Sequence, residues 1–172
     1  MHLIQEQRLI HWPDRHFLLR HPAHFLALGF GSGLPRKAPG TWGTLLGIPC
    51  FIGLMQLAEP LHYLILAGMF LLGIYICGIA GKALGASDHG SIVWDEIVAF
   101  MLVLEFTPLS WQAWLAAFLL FRLFDIWKPF PINLSDRHIK GGLGVMLDDL
   151  LAAGYAIAFL QGGLWIKLNY WS

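Results

Sequence analysis

Five stretches of the chain are apolar over a length that reads as a membrane helix, a span needing about 20 residues without fixed charge. Residues 43 to 58 form the first, with Pro49 as a predicted kink, and residues 60 to 81 a cleaner second closed by Lys82. The third, 97 to 106, contains Glu105 and is short unless Ile92–Trp94 precede it in the same helix. Residues 106 to 121 make the fourth, extending through Arg122 towards Trp127, and residues 150 to 166 the fifth. Before them, residues 1 to 21 mix Arg8, Arg15, Arg20, Glu6 and Asp14 with single apolar residues. No apolar core of a signal peptide is expected there. Leu3, Ile10, Phe17 and Leu18 instead suit one side of an amphipathic interfacial helix, a frayed terminus being the plainer alternative. The pattern predicts an all-α fold: a polytopic membrane helical bundle of about five membrane helices plus an N-terminal amphipathic segment. With no internal repeat or linker, residues 1–172 read as one membrane-embedded domain.

Composition supports the lipid reading. Of 172 residues, 57% are hydrophobic and 13% charged, against about 45–50% and about 25% in soluble domains. Eleven basic and eleven acidic residues cancel, so no nucleic-acid partner is expected. Cys50 and Cys77 lie in apolar runs and suit neither a zinc site nor a disulfide framework. The eight tryptophans read as interfacial belts, and the histidines lack metal-binding spacing.

Charge asymmetry gives an expected orientation. With the N-terminus in the cytoplasm and five spans threaded, Arg8, Arg15, Arg20, Arg36, Lys37, Lys82, Arg122, Lys128, Arg137 and Lys140 fall on the cytoplasmic side, and only Lys167 falls outside. The same threading carries Asp95, Glu96, Asp125, Asp148 and Asp149 to that face, while Glu59 and Glu105 go to the other. Carboxylates at the hydrocarbon boundary are costly and usually have a partner and a task. Several together call for protons or for a hard cation such as Mg²⁺, which takes one or two carboxylates plus waters and phosphate oxygens. Lys128 and Arg122 flank Asp125 at helical spacing, and acids for a metal beside bases for an anion suit phosphate-ester chemistry. Structural alternatives stand beside this: an Arg122–Asp125 ion pair, and Asp148–Asp149 as N-terminal helix caps. They do not explain why so many acids share one face.

The glycine-rich stretch from Leu28 to Thr44 carries Arg36 and Lys37 and could bring backbone N–H groups to a phosphate. It matches neither GxxxxGK[ST] nor GxGxxG, and a re-entrant or turn segment, its basic pair anchored to anionic lipid, is the plainer reading. His89 is the histidine nearest the acids, a polar turn residue being its alternative.

The strings GFGSGL, PGTWGT, DHGSIVWDE, FRLFDIWKPFPI, DR and GGLGVMLDD together resemble the phosphatidylglycerophosphatase A family over roughly residues 22 to 160. The resemblance implies an all-helical, Mg²⁺-dependent phosphomonoesterase of the bacterial inner membrane, which hydrolyses phosphatidylglycerol phosphate to phosphatidylglycerol and phosphate at the cytoplasmic face. Its motifs fall on Asp88, His89, Asp95 and Glu96, on Asp125 and Lys128, on Asp136 and Arg137, on Asp148 and Asp149, and on Gly40, Thr41 and Thr44. The expected metal ligands are Asp95, Glu96, Asp125, Asp148 and Asp149. Asp149 or Glu96 would be the general base and Lys128 a phosphate clamp. Arg36, Lys37, Thr41, Thr44, His89 and Arg137 would serve the substrate. The sequence has no DxDx[TV], no Cys-x5-Arg (Gln56 and Ala83 stand where the arginine would) and no PSGH, leaving direct hydrolysis by an activated water. Among rivals, a cation or proton transporter would also cluster acids, but nearer the midplane. A lipid phosphotransferase would need the DGxxAR…G…DxxxD pattern of the CDP-alcohol enzymes, which is absent. A purely structural subunit gives no reason for the acids.

Overall fold

The structure, a computed structural model, describes residues 12–170; the side chains of Asp136, Arg137 and Tyr170 lie outside the described residues. So do residues 1–11, which make up half of the expected amphipathic segment. The other half is short. Asp14 caps α1 (Arg15–Arg20) by accepting from the Phe17 N–H at 2.8 Å, and Leu18 joins the buried cluster that also holds Ala80 and Leu84 of the bundle. The following helix, α2 (Pro22–Ala27), starts on a proline suited to a first helical position.

The bundle itself is α3 (Pro39–Leu54), α4 (Glu59–Leu84), α5 (Trp94–Glu105), α6 (Trp111–Trp127) and α8 (Gly142–Tyr170), with a short α7 (Ile132–His138) between the last two. Each expected apolar run is a helix, but the bounds differ. The first begins at Pro39, so PGTWGT is helical rather than a turn, and it continues through Pro49 as a single element. The last begins at Gly142, so Asp148 and Asp149 lie well inside α8 and do not cap it.

α5 is the axis of the assembly, packing against α3, α4, α6 and α8. Its sides are buried from Ile97 to Leu104, apart from the half-buried Leu102, and Ile97, Phe100, Val103 and Leu104 form the main core with Phe121 of α6 and Ala152, Ala153 and Ala156 of α8. The α3 face turned to it is small: Gly40, Gly43, Thr44 and Gly47 recur at helical spacing, and a Cβ at Gly43 would run into Val93. That allows the two backbones to approach closely, as small residues do between membrane helices.

The outside of the bundle is apolar too. Trp111, Leu115, Leu119, Leu123, Ile126 and Trp127 form an exposed stripe along α6, and Leu64, Leu71, Leu72 and Tyr75 do so on α4. A helix apolar on both its buried and its exposed side is made for lipid. Among the described residues two helices, α4 and α8, are long and apolar enough to cross a membrane. Three of the five expected spans are shorter. At 16, 12 and 17 residues, α3, α5 and α6 reach about 24, 18 and 26 Å against a hydrocarbon core of about 30 Å. The runs that suggested full spans include loop residues, such as 55–58 and 106–110, which leave the helix at turns.

Candidate active site

Alternation of helix direction decides where the acids meet. Asp95 and Glu96 occupy the first turn of α5, Asp125 the last turn of the antiparallel α6, and Asp148 and Asp149 the second turn of α8, antiparallel again. All five reach one end of the bundle. One carboxylate oxygen from each of Asp95, Glu96 and Asp149 lies within 4.8 Å of the others. Asp95 and Asp149 are buried, and the Glu96 side chain is 12% exposed. Asp125 and Asp149 meet at hydrogen-bonding range.

Arg122 organises one side of this group. Its Nη1 donates to Asp125 at 2.6 Å and to Glu96 at 3.4 Å, and it reaches the Thr44 hydroxyl at 3.5 Å. Thr44 is itself fixed by donating to the Gly40 carbonyl at 2.8 Å. A Cβ on Gly40 would collide with the Glu96 carboxylate and crowd Arg122, so the PGTWGT string gives room to the acid cluster as well as to helix packing.

One oxygen each on Asp95, Glu96 and Asp149 (Oδ1, Oε2 and Oδ2) is buried with no hydrogen-bond partner. An unsatisfied buried carboxylate oxygen is costly, and three on neighbouring acids are rare in native proteins. Hard oxygen donors with one charge each, crowded and unpaired, fit a divalent cation. The α5 N-terminus lowers the cost of Asp95 and Glu96 through the helix dipole, but it does not supply three partners.

Lys128 stands on another side. The spacing puts it on one helical face with Asp125 if the helix continues that far. Instead α6 stops at Trp127, and Lys128 takes a left-handed conformation (φ 45°) as its cap. Its Nζ turns to Asp148 at 3.2 Å and to Asp88 at 3.7 Å. His89 is buried: its Nδ1 accepts from the Ser91 N–H at 3.2 Å and lies 2.7 Å from the Ser91 hydroxyl, with Trp12 against the ring. Burial pushes the imidazole below the usual histidine range, with Asp88 acting the other way. Arg36 and Lys37 are exposed in the loop before α3, and Thr41 is half-buried in its first turn. The Arg137 side chain lies outside the described residues.

The glycines of GFGSG serve a turn. Gly29, Phe30 and Gly31 all have positive φ, and a Cβ at Gly33 would meet the Ser91 carbonyl. The segment is packed tightly across the chain that leads into Asp95, with the Val93 N–H bonded to Ala27 O at 2.9 Å. Sequence reasoning placed Arg122 beside Asp125 alone, as a base for an anion or as its ion-pair partner. Its contacts to Glu96 and Thr44 come from other helices and leave no local signal.

The model of the family described as phosphatidylglycerophosphatase A matches residues 25–163. The chain belongs to the phosphatidylglycerophosphatase A family. A phosphatidylglycerophosphatase A of Haemophilus influenzae is 47% identical over 161 residues, covering 92% of this chain and 96% of the relative. That of Escherichia coli is 42% identical over 135 residues, covering 78% of each. No solved structure matches. Every carboxylate of the cluster lies within the residues matched to the family.

Proposed function

We propose that this protein is a Mg²⁺-dependent phosphomonoesterase that hydrolyses phosphatidylglycerol phosphate to phosphatidylglycerol and inorganic phosphate. The observation that carries the reading is the gathering of Asp95, Glu96 and Asp149, each with one buried carboxylate oxygen that has no partner, in a member of this family.

Asp95, Glu96 and Asp149 hold the metal, and Asp125 and Asp148 complete the acidic donor set. Bound Mg²⁺ supplies neutralisation of the terminal phosphate and activation of a water. Arg122 fixes Glu96 and Asp125 in place and keeps their mutual repulsion down. Whichever of Asp149 and Glu96 is not fully engaged by the metal would accept the proton of the attacking water. Lys128, held by Asp88 and Asp148, carries the positive charge that meets a phosphate oxygen and gains value as charge develops there. Arg36, Lys37 and Arg137 draw the anionic headgroup in, Thr41 lies along that approach, and His89 braces the loop before Asp95.

In this reading the chain, residues 1–172, is one domain in the bacterial inner membrane. All five helices lie in the bilayer, α5 sheltered by the other four, and the Lys and Arg distribution supports a cytoplasmic position for the acidic end. A carrier for cations or protons is disfavoured, because below the acids the axis is filled by Phe100, Val103, Leu104 and Phe121.

The test is phosphate release by the detergent-purified protein from phosphatidylglycerol phosphate and phosphatidic acid, with Mg²⁺ and with chelator. Release that needs the metal and prefers the first lipid is expected. A folded protein that releases phosphate from neither lipid overturns the reading, and release undiminished by chelator removes the metal from it.

A further inference from the structure

A second feature lies directly below the acids. Between α4, α5 and α8 runs an apolar groove of about 360 Å³, lined by Ala67 and Phe70 of α4, Val98 and Leu102 of α5 and Leu150 of α8, with Asp95 as its one acidic lining residue. The groove follows the helix axes: from Asp95 to Leu102 it covers about 10 Å at the α-helical rise. Its rim is formed on the outside of the bundle by exposed residues, among them Tyr63 and Leu71. The polar end is continuous with the acid cluster, since Asp95 belongs to both.

Three properties define the occupant. The walls are aliphatic and aromatic, so it is apolar along its length. The slot is narrow and runs parallel to the helices, so it is extended. It begins beside a carboxylate whose Oδ1 has no partner and leads away from it, so it is joined to a polar, metal-seeking group. An acyl chain attached to a phosphorylated headgroup has all three, and in a bilayer its chains descend from the headgroup in this direction.

We propose that this groove binds one acyl chain of the phospholipid substrate and so sets the depth at which the terminal phosphate meets the acids; the proposal rests on the phosphatase reading above. A peptide segment would bring backbone N–H and C=O groups that these walls cannot satisfy.

The test uses phosphatidylglycerol phosphates with dibutyryl, dihexanoyl, dioctanoyl and dipalmitoyl chains, assayed in mixed micelles at fixed surface fraction. Wild-type kcat/KM should rise with chain length and level off once the groove is filled. Ala67→Trp plugs the groove at mid-length and should lower kcat/KM about tenfold for the dipalmitoyl lipid, equivalent to about 1.4 kcal/mol, with less than about twofold change for the dibutyryl one. Ala67→Leu, a smaller plug, should give a smaller effect of the same sign. Leu72→Trp, exposed and about 140° round the same helix from Ala67, should match wild type throughout. An active wild type indifferent to chain length overturns the groove alone, as do Ala67 variants that lose activity equally on every lipid or on none. A wild type inactive on the whole series overturns the phosphatase reading, and the groove's assignment with it.

Discussion

The central helix carries acids at both ends, and the two ends are built on opposite principles. Glu105, in the last turn of α5, faces the wrong pole of the helix dipole. It is answered by His62, whose Nδ1 lies 3.2 Å from both carboxylate oxygens while Nε2 faces the Leu57 carbonyl at 3.2 Å. The pair is buried and locally satisfied. Asp95 and Glu96, at the favourable pole, are joined by Asp125 and Asp149, yet oxygens on three of these four have no partner. A structural buried acid has its partner inside the chain. A working one is left short by an amount that a ligand can make good.

That contrast can be broken by substitution. Asp95→Asn and Asp149→Asn should each lower phosphate release by more than the roughly 10–100-fold that loss of a supporting residue costs, with insertion and melting temperature held or raised. Raised stability is expected because removing a crowded charge relieves repulsion. Full activity in both variants would mean that the acidic end is no more functional than the other. Gly40→Ala pushes a methyl group at Glu96 and Arg122 and should reduce kcat about tenfold or more with little change in KM, by analogy with misplaced catalytic geometry. An unaltered kcat would show that Glu96 can move without consequence.

At the opposite end the signs reverse. Glu105→Ala leaves His62 buried without its partner and should cost about 1–3 kcal/mol of stability, read as a lower melting temperature in detergent, while kcat stays within about twofold. Loss of activity at unchanged stability would overturn the structural assignment. The smallest effect concerns His89, whose pKa is lowered by burial. Its neutral form is the one held in the fold, so this stabilisation is present above the ordinary histidine pKa of about 6.5 and fades as the pH falls below it. His89→Asn keeps an acceptor for the Ser91 N–H and does not titrate. Wild type should therefore lose more melting temperature than the variant between pH 7 and pH 5, and parallel losses would remove His89 as the cause.

Much of this was legible in the chain. Apolar runs with abrupt acids at their borders predict both the helices and the end at which Asp95, Glu96, Asp125, Asp148 and Asp149 gather, because helix direction alternates and charge marks the ends. Boundaries were harder to read where apolarity and helicity part. The run in Gly142–Leu147 is short, and the acids after it look like a terminus, but the helix carries them as interior residues. Full spans were over-read where apolar loops adjoin short helices. Pairings across helices, such as Arg122 with Thr44 or His62 with Glu105, depend on rotation about each axis and are not written in local spacing. The direction of Lys128 turns on a single backbone conformation, which a helical-face argument does not include.

That backbone conformation has a consequence for how the position can change. A non-glycine residue in the left-handed region costs about 1–2 kcal/mol, which glycine would avoid. Selection for a sturdier protein would therefore favour glycine at 128, and selection for a cation at the mouth of the acidic site would oppose it. If the second pressure dominates, laboratory evolution for heat tolerance alone should recover Lys128→Gly with crippled turnover, while evolution under a growth requirement for the product should never recover it.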